Sequence, residues 1–391
     1  MKKRIFISTG EVSGDLQGAL LVKALFQRAD ALGLKLEITA LGGRRMEAAG
    51  AKLFANTTEI GSVGPIEALP YILPTLKIQR DVKAYLRKNP PDLFVMIDYM
   101  DANINIGKMI RQAFPQVPTV FFIAPQEWVV SLTPNKTQWI VSISDRILAI
   151  FPEEERYYAQ KGANVTFVGH PLLDRMQQAI DRETARTQLG IAPNQTAIVL
   201  LPASRQQELK YLMPVIFEAA QKIQAKLPDV MFLIPVSLVK YKSAIEHAVA
   251  RFGLRAQILD AESAPIAFPL GIIAAADLAI AKSGTVNLET ALLNVPQVVM
   301  YRVSALTAWI AKYLLKLKIP FVSPPNLVNL CEIVPEFLQD DATADNLANA
   351  ALELLDPQRR QQMQADYQTM RKALGEVGVC DRAAQAMLNM L

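Results

Sequence analysis

Cysteine and histidine are nearly absent: two of each stand in 391 residues. Two thiols, Cys331 and Cys380, cannot build a disulfide framework, and no Cys or His pair has zinc-ligand spacing. A reducing cytosol suits such a chain. No uncharged apolar run reaches the ~18–20 residues that a membrane-spanning helix needs. The basic start, Lys2-Lys3-Arg4, leads into an apolar stretch too short for a signal peptide and straight into a turn, so it reads as a first strand. Basic runs, zinc fingers and aromatic ribonucleoprotein signatures are missing too, which argues against a nucleic-acid binder. What remains is a chain 51% hydrophobic and 20% charged, with a formal net charge of +4. That composition is globular, and the length suits two domains of ordinary size.

Apolar, β-rich runs alternate with segments of helical period. In the first half, strands are expected at 4–9, 36–41, 92–98, 119–124, 146–151 and 165–168. Helices are expected between them at 14–28, 73–88, 102–113 and 153–160. The second half repeats the rhythm, with strands at 197–201, 230–235, 256–259, 277–281, 297–301 and 320–322. Its helices are expected at 206–226, 240–252, 264–275, 286–293 and 304–317. Such βαβ alternation implies parallel sheets covered by helices. The fold class is α/β, with two Rossmann-like domains facing across a cleft. Residues 1–173 are expected to form an N-terminal Rossmann-like domain, residues 174–342 a C-terminal one, and 343–391 a helical tail.

Ligands of open α/β sheets bind outside the carboxyl ends of the strands. Several polar constellations fall there. Ser283-Gly284-Thr285 follows a buried strand and opens a short helix carrying Glu289. Backbone N–H groups at a helix start attract anions, and a carboxylate beside them suits sugar hydroxyls, so phosphate plus ribose is the chemistry indicated. Capping by Ser or Thr is the plainer alternative. Ser204-Arg205, after the strand at 197–201, would add a guanidinium able to clamp a diphosphate. Gly10-Glu11-Val12-Ser13-Gly14-Asp15 occupies the position of a phosphate loop but lacks the Gly-x-Gly-x-x-Gly and P-loop patterns. Its carboxylates suit hydroxyls better. Asp98, ending the strand at 92–98, is placed to take a proton from a nucleophilic hydroxyl, whereas Asp101 reads as a helix cap. His170, in Gly169-His170-Pro171, marks the crossing between domains. Residues 60–76 present Val63, Ile66, Leu69, Ile72, Leu73 and Leu76, followed by Lys77, Arg80 and Lys83. That surface could lie on a bilayer or hold acyl chains; core packing or a subunit interface is its alternative.

Together these residues resemble the lipid-A-disaccharide synthases along nearly the whole chain. The resemblance is carried by Gly10–Asp15, Ile97–Asn103, Gly169–Asp174, Leu201–Arg205, Ser283–Glu289, Tyr301-Arg302 and Pro325-Asn326-Leu327, in that order. It implies an inverting glycosyltransferase of the GT-B type, without metal or other cofactor, on the cytosolic face of the inner membrane of a Gram-negative bacterium. Such an enzyme transfers diacylglucosamine from its UDP donor to diacylglucosamine-1-phosphate. The resemblance implies that Asp98 is the base and that Ser204, Arg205, Ser283, Gly284, Thr285, Glu289 and Asn326 hold the donor. Gly10, Glu11, Ser13, Gly14, Asp15, Asn103, His170 and Arg302 would line the acceptor side. It also implies a homodimer joined through exchanged C-terminal segments. The chain departs from the family pattern at Ala203, where Gly is usual. It departs again at Asn329-Leu330-Cys331-Glu332 in place of Ala-Gly-Arg-Glu, and at 124–131, where one aromatic and one Arg are missing. A UDP-sugar epimerase, a transferase with another lipid acceptor, and an inactive UDP-sugar or lipid-binding relative are the alternatives.

Overall fold

The computed structural model describes residues 2–58, 71–129, 134–203, 205–304, 308 and 321–391. The chain forms two compact units. The first comprises Met1–Arg175 and Ala373–Leu391, the second Met176–Lys372.

The first unit is built on β1 (Lys2–Ser8), β2 (Lys35–Gly42), β3 (Lys52–Asn56), β4 (Leu93–Ile97), β5 (Thr119–Phe122), β6 (Arg146–Ala149) and β7 (Val165–Phe167). They form one sheet in the order β3-β2-β1-β4-β5-β6-β7, with every pairing parallel. Central strands of such a sheet are covered on both faces, which explains their unbroken apolar runs. Leu93-Phe94-Val95-Met96-Ile97 is buried throughout. The second unit repeats the plan with β8 (Ala197–Leu201), β9 (Met231–Pro235), β10 (Ala256–Leu259), β11 (Leu278–Lys282), β12 (Gln297–Tyr301) and β13 (Glu336–Leu338). Their order is β10-β9-β8-β11-β12-β13, again all parallel. Strand order reverses direction once in each sheet, between β1 and β4 and between β8 and β11. Those two places are the switch points where open sheets leave a crevice for ligands.

The tail does not stand apart. Ala344–Leu354 packs on the helix Met213–Lys226 of the second unit, and Val379–Leu388 packs on Glu11–Ala31 of the first. Asp174 ties that last helix down. Its carboxylate accepts the N–H groups of Gly378 (2.6 Å), Val379 (3.1 Å) and Cys380 (2.8 Å), three of the donors that a helix start leaves without partners. Arg382 donates to the Val168 carbonyl (2.8 Å), and the His170 N–H donates to the Leu374 carbonyl (2.9 Å). Gly169 sits at φ 87°, and a Cβ there would lie 2.8 Å from that same carbonyl oxygen, so only glycine fits.

Four local expectations need correction. The helix expected over 206–226 is two, Gln206–Tyr211 and Met213–Lys226, because Pro214 has no N–H to offer the preceding turn. The helix over 264–275 shortens to Leu270–Ala274 behind Pro269. Phe321 and Val322 are not a strand; β13 is Glu336–Leu338. The strand β3 was not anticipated. Most of the helix expected over 304–317 lies outside the described residues.

Candidate active site

At the first switch point the backbone is strained. Glu11 (φ 62°) follows β1, Asp98 (φ 45°) and Tyr99 (φ 48°) follow β4, and Ile123 (φ 63°) follows β5. Non-glycine residues rarely occupy left-handed backbone, and such outliers gather at functional sites. Here they end three adjacent strands, since Ser8 pairs with Met96 and Ile97 with Phe122. Asn103 enforces the geometry from below. Its buried amide donates to the carbonyls of Ile97 (3.2 Å) and Asp98 (2.6 Å), while the Asp98 N–H donates to the Ile123 carbonyl (2.9 Å). The Asp98 side chain is thereby left exposed at the crevice. Tyr99 lies against Gly10, where a Cβ would come within 2.5 Å of the ring. Burial pushes its phenol pKa up, and Glu11 and Asp101 push the same way. Gly14 is required by contact as well, for a Cβ there would collide with Thr9 Oγ1.

Beneath Asp98 sits a second carboxylate that sequence did not single out. Glu154 is buried and accepts the N–H groups of Ala124 (2.8 Å), Ile150 (2.8 Å) and Phe151 (3.3 Å). Burial lifts its pKa to about 8 against those three donors, with the charge of Asp98 adding to the rise. Its only sequence signal is a triple Glu153-Glu154-Glu155 at a helix start, which reads as ordinary dipole complementarity.

Several residues expected on the acceptor side are bonded within the fold. Asp15 is buried, and it accepts the N–H groups of Gly43 (2.8 Å), Arg45 (3.2 Å) and Met46 (3.0 Å), capping the helix Arg44–Ala48. His170 is buried against Phe151 (5.3 Å between rings), and its Nδ1 accepts the Leu172 N–H (3.2 Å). Burial pushes its pKa down to about 3, so it is neutral. Arg302 belongs to the second unit and donates to the carbonyls of Gln339 (3.1 Å) and Ala342 (2.9 Å). Ser13 is half-buried on the first turn of Glu11–Ala31.

The second switch point gathers cations. Arg205 follows β8, and Lys282 ends β11, the strand paired with β8 through Leu201 and Ala281. Buried Glu208 binds both: Oε1 lies 3.2 Å from Lys282 Nζ and 3.5 Å from Arg205 Nη1, and Oε2 accepts the Arg205 N–H (3.0 Å). Neither Lys282 nor Glu208 was anticipated, although a lysine closing the apolar run Leu-Ala-Ile-Ala is a legible signal. Beside them, Ser283 donates its hydroxyl to the Val322 carbonyl (2.6 Å), and the Gly284 N–H donates to Asn287 Oδ1 (2.7 Å). Both donors expected to face an anion are thus engaged within the fold. Thr285 makes no capping bond with its side chain, and Glu289 is buried in the first turn of Val286–Leu292. Asn326 is bonded within the fold. Its amide donates to the Val334 carbonyl (2.9 Å) and Glu336 Oε1 (2.6 Å), and its oxygen accepts the N–H groups of Ile333 (2.7 Å) and Val334 (2.9 Å). Leu330, where the resemblance has Gly, takes left-handed backbone at φ 51°, which explains that family preference.

Ser204, Val63, Ile66 and Leu69 lie outside the described residues. Ile72, Leu73 and Leu76 are 44%, 77% and 54% exposed on the helix Ile72–Lys88.

Two parallel-sheet units, each with polar side chains gathered at its switch point, define an α/β enzyme of the GT-B type. Known proteins agree. The structure of a UDP-GlcNAc 2-epimerase from Neisseria meningitidis with bound UDP-GlcNAc aligns with TM-score 0.69 at 12% identity, covering all of both chains. The S. aureus MnaA–UDP structure aligns at 0.68 and 16%, covering 100% of this chain and 98% of the other. At such identities the likeness concerns the fold. Sequence relatives go further. The family model for lipid-A-disaccharide synthetase matches residues 5–390. Lipid-A-disaccharide synthase of Gloeothece citriformis is 58% identical over 99% of both chains, and that of Synechocystis sp. is 54% identical over 98% of this chain and 97% of its own. The chain belongs to the lipid-A-disaccharide synthetase family and is a glycosyltransferase of lipid A biosynthesis.

Proposed function

We propose that the first unit supplies the base and the second unit holds a UDP-sugar donor. Diacylglucosamine passes from UDP-diacylglucosamine to the primary hydroxyl of diacylglucosamine-1-phosphate. Asp98 takes the hydroxyl proton, the acceptor oxygen bonds to the anomeric carbon, and the bond from that carbon to the diphosphate breaks. The products are tetraacyl disaccharide 1-phosphate and UDP. One displacement inverts the anomeric centre and needs a single base with a stabilised leaving group. The observation carrying this assignment is an exposed Asp98 on strained backbone at the switch point, buttressed by Asn103. Arg205 would meet the departing diphosphate, with Thr285 and Glu289 beside it.

Two further assignments support a lipid-borne substrate and come from the same resemblance. Among the described residues no helix is long and apolar enough to cross a membrane. The exposed Ile72, Leu73 and Leu76, followed by Lys77, Arg80 and Lys83, suit peripheral seating on the inner face of the cytoplasmic membrane. A homodimer by tail exchange would use the seat that Val379–Leu388 takes on its own chain, as exchanged elements do.

Calorimetry with UDP, beside release of UDP from the two lipid substrates, tests the division of labour. Asp98→Asn should keep UDP affinity and lose ~10²–10⁴ in turnover. Arg205→Ala should lose both. Undiminished turnover in Asp98→Asn removes it as the base.

A further inference from the structure

Nothing in the family resemblance assigns Lys282. It is a lysine at 9% exposure, in a strand otherwise made of Leu, Ala and Ile. A cation in such a place requires compensation, because the loss of hydration costs several kcal/mol per ion. Buried lysines therefore stand beside a carboxylate or serve a ligand.

The compensation is shared in an uneven way. One carboxylate, Glu208, contacts two cations that come from the ends of two adjacent strands. It is itself fixed, since Oε2 accepts the Arg205 N–H and the helix Gln206–Tyr211 begins there. This reciprocal bond from the third residue to the cap is the second half of a capping box. Glu208 thus sets where Arg205 and Lys282 stand with respect to each other. The Lys282 ammonium also lies over the Ser283-Gly284-Thr285 turn: a Cβ on Gly284 would be 3.1 Å from Nζ. The glycine leaves that approach open.

We propose that Lys282 is a second diphosphate-binding cation, paired with Arg205 through Glu208, and that it contacts one of the two phosphates of the departing UDP. A guanidinium gives planar, forked contacts, and an ammonium gives a compact point charge. Two such groups on neighbouring strand ends suit the two phosphates of a nucleoside diphosphate, and the engaged Ser283 hydroxyl and Gly284 N–H leave more of that task to side-chain cations. Glu208 is a positioning residue: it touches the two cations and no ligand.

This assignment rests on the donor site described above, and the test separates the two. UDP and uridine are titrated into the full chain and into Lys282→Met and Lys282→Arg by calorimetry, with melting curves as a control on folding. Charge-assisted bonds of this kind are worth about 10- to 100-fold in affinity. Lys282→Met should weaken UDP by that factor, leave uridine within about threefold, and flatten the loss of UDP affinity with added salt. Lys282→Arg should fall between the two. Donor KM should rise more than kcat falls. If Lys282→Met does not fold, Lys282→Gln, which keeps a polar end beside Glu208 and removes only the charge, carries the same expectation. UDP affinity unchanged in a folded variant overturns the role of Lys282 and leaves the donor site intact. No UDP binding by the unaltered chain overturns the donor site, and Lys282 with it.

Discussion

A polar side chain at the end of an apolar strand either meets a ligand or satisfies nearby backbone, and the sequence pattern is the same for both. Asp98 and Asp15 illustrate the divergence. Asp98 is exposed, while Asp15 binds three N–H groups 28 to 31 residues away. Asn326 and Arg302 also bond within the fold, to partners 7 to 10 and 37 to 40 residues distant. Those partners are brought near by folding, and no local spacing announces them. His170 offers a test at this scale. Burial lowers its folded pKa to about 3, below the ordinary value of 6.5. Between those values the unfolded chain binds a proton that the folded chain refuses. Its contribution to stability is therefore complete above about pH 6.5 and is lost as pH falls toward 3, at roughly 2 kcal/mol by pH 5. Glu154, raised to about 8, slopes the other way, losing stability as pH rises from 4.5 toward 8. In His170→Phe, which keeps the ring contact with Phe151, the melting temperature should fall less between pH 7 and pH 5 than it does in the unaltered chain. Parallel pH curves for the two would show that the histidine titrates alike in the folded and unfolded chain.

Elements were read well where period and burial agreed. Central strands announced themselves as apolar runs followed by a turn, whereas the order of the strands, and with it the switch points, is set by pairings that the βαβ rhythm does not specify. Peripheral pieces were harder. β3, Lys-Leu-Phe-Ala-Asn, sits at the sheet edge with only partial burial, so its alternation is weak. β13 is three residues long, too short to carry a period. The helix Ile72–Lys88 was anticipated within a residue, and its exposed start now bears a specific expectation. Leu73 and Leu76 expose more than half their surface while Val82 and Leu86 are buried on the other face. Replacing both exposed leucines by Asp removes ~3–6 kcal/mol of possible apolar insertion without touching the core. Sedimentation with anionic phospholipid vesicles should drop at least tenfold, with the melting temperature unchanged. Equal sedimentation would place the lipid-contacting surface elsewhere.

At the scale of the whole molecule, the chain passes from the first unit to the second after Arg175 and returns after Lys372. The sequence reading divides the domains after residue 173. The return was invisible, because a polar, strand-free tail has no feature that says which sheet it will cover. What directs it is the set of contacts at Gly169, His170 and Asp174, a motif noticed for its histidine and used for its glycine and aspartate. Asp174→Ala deprives three N–H groups of their acceptor and should cost about 1–3 kcal/mol. Hydrogen exchange should then quicken across Val379–Leu388 and the facing helix Glu11–Ala31, and stay unchanged in Met213–Lys226. Uniform quickening would mean that the carboxylate supports the molecule at large.

The return also inverts the usual order of assembly on the ribosome, where domains complete themselves from the amino terminus onward. The face of the Glu11–Ala31 helix that meets Val379–Leu388 must wait for its cover, while its contacts with β2 and Arg44–Ala48 can form early. The unit begun second can close before then. During synthesis the earliest-made half of this enzyme is the last to be finished, and that interval is when it stands most open to chaperones and to wrong partners.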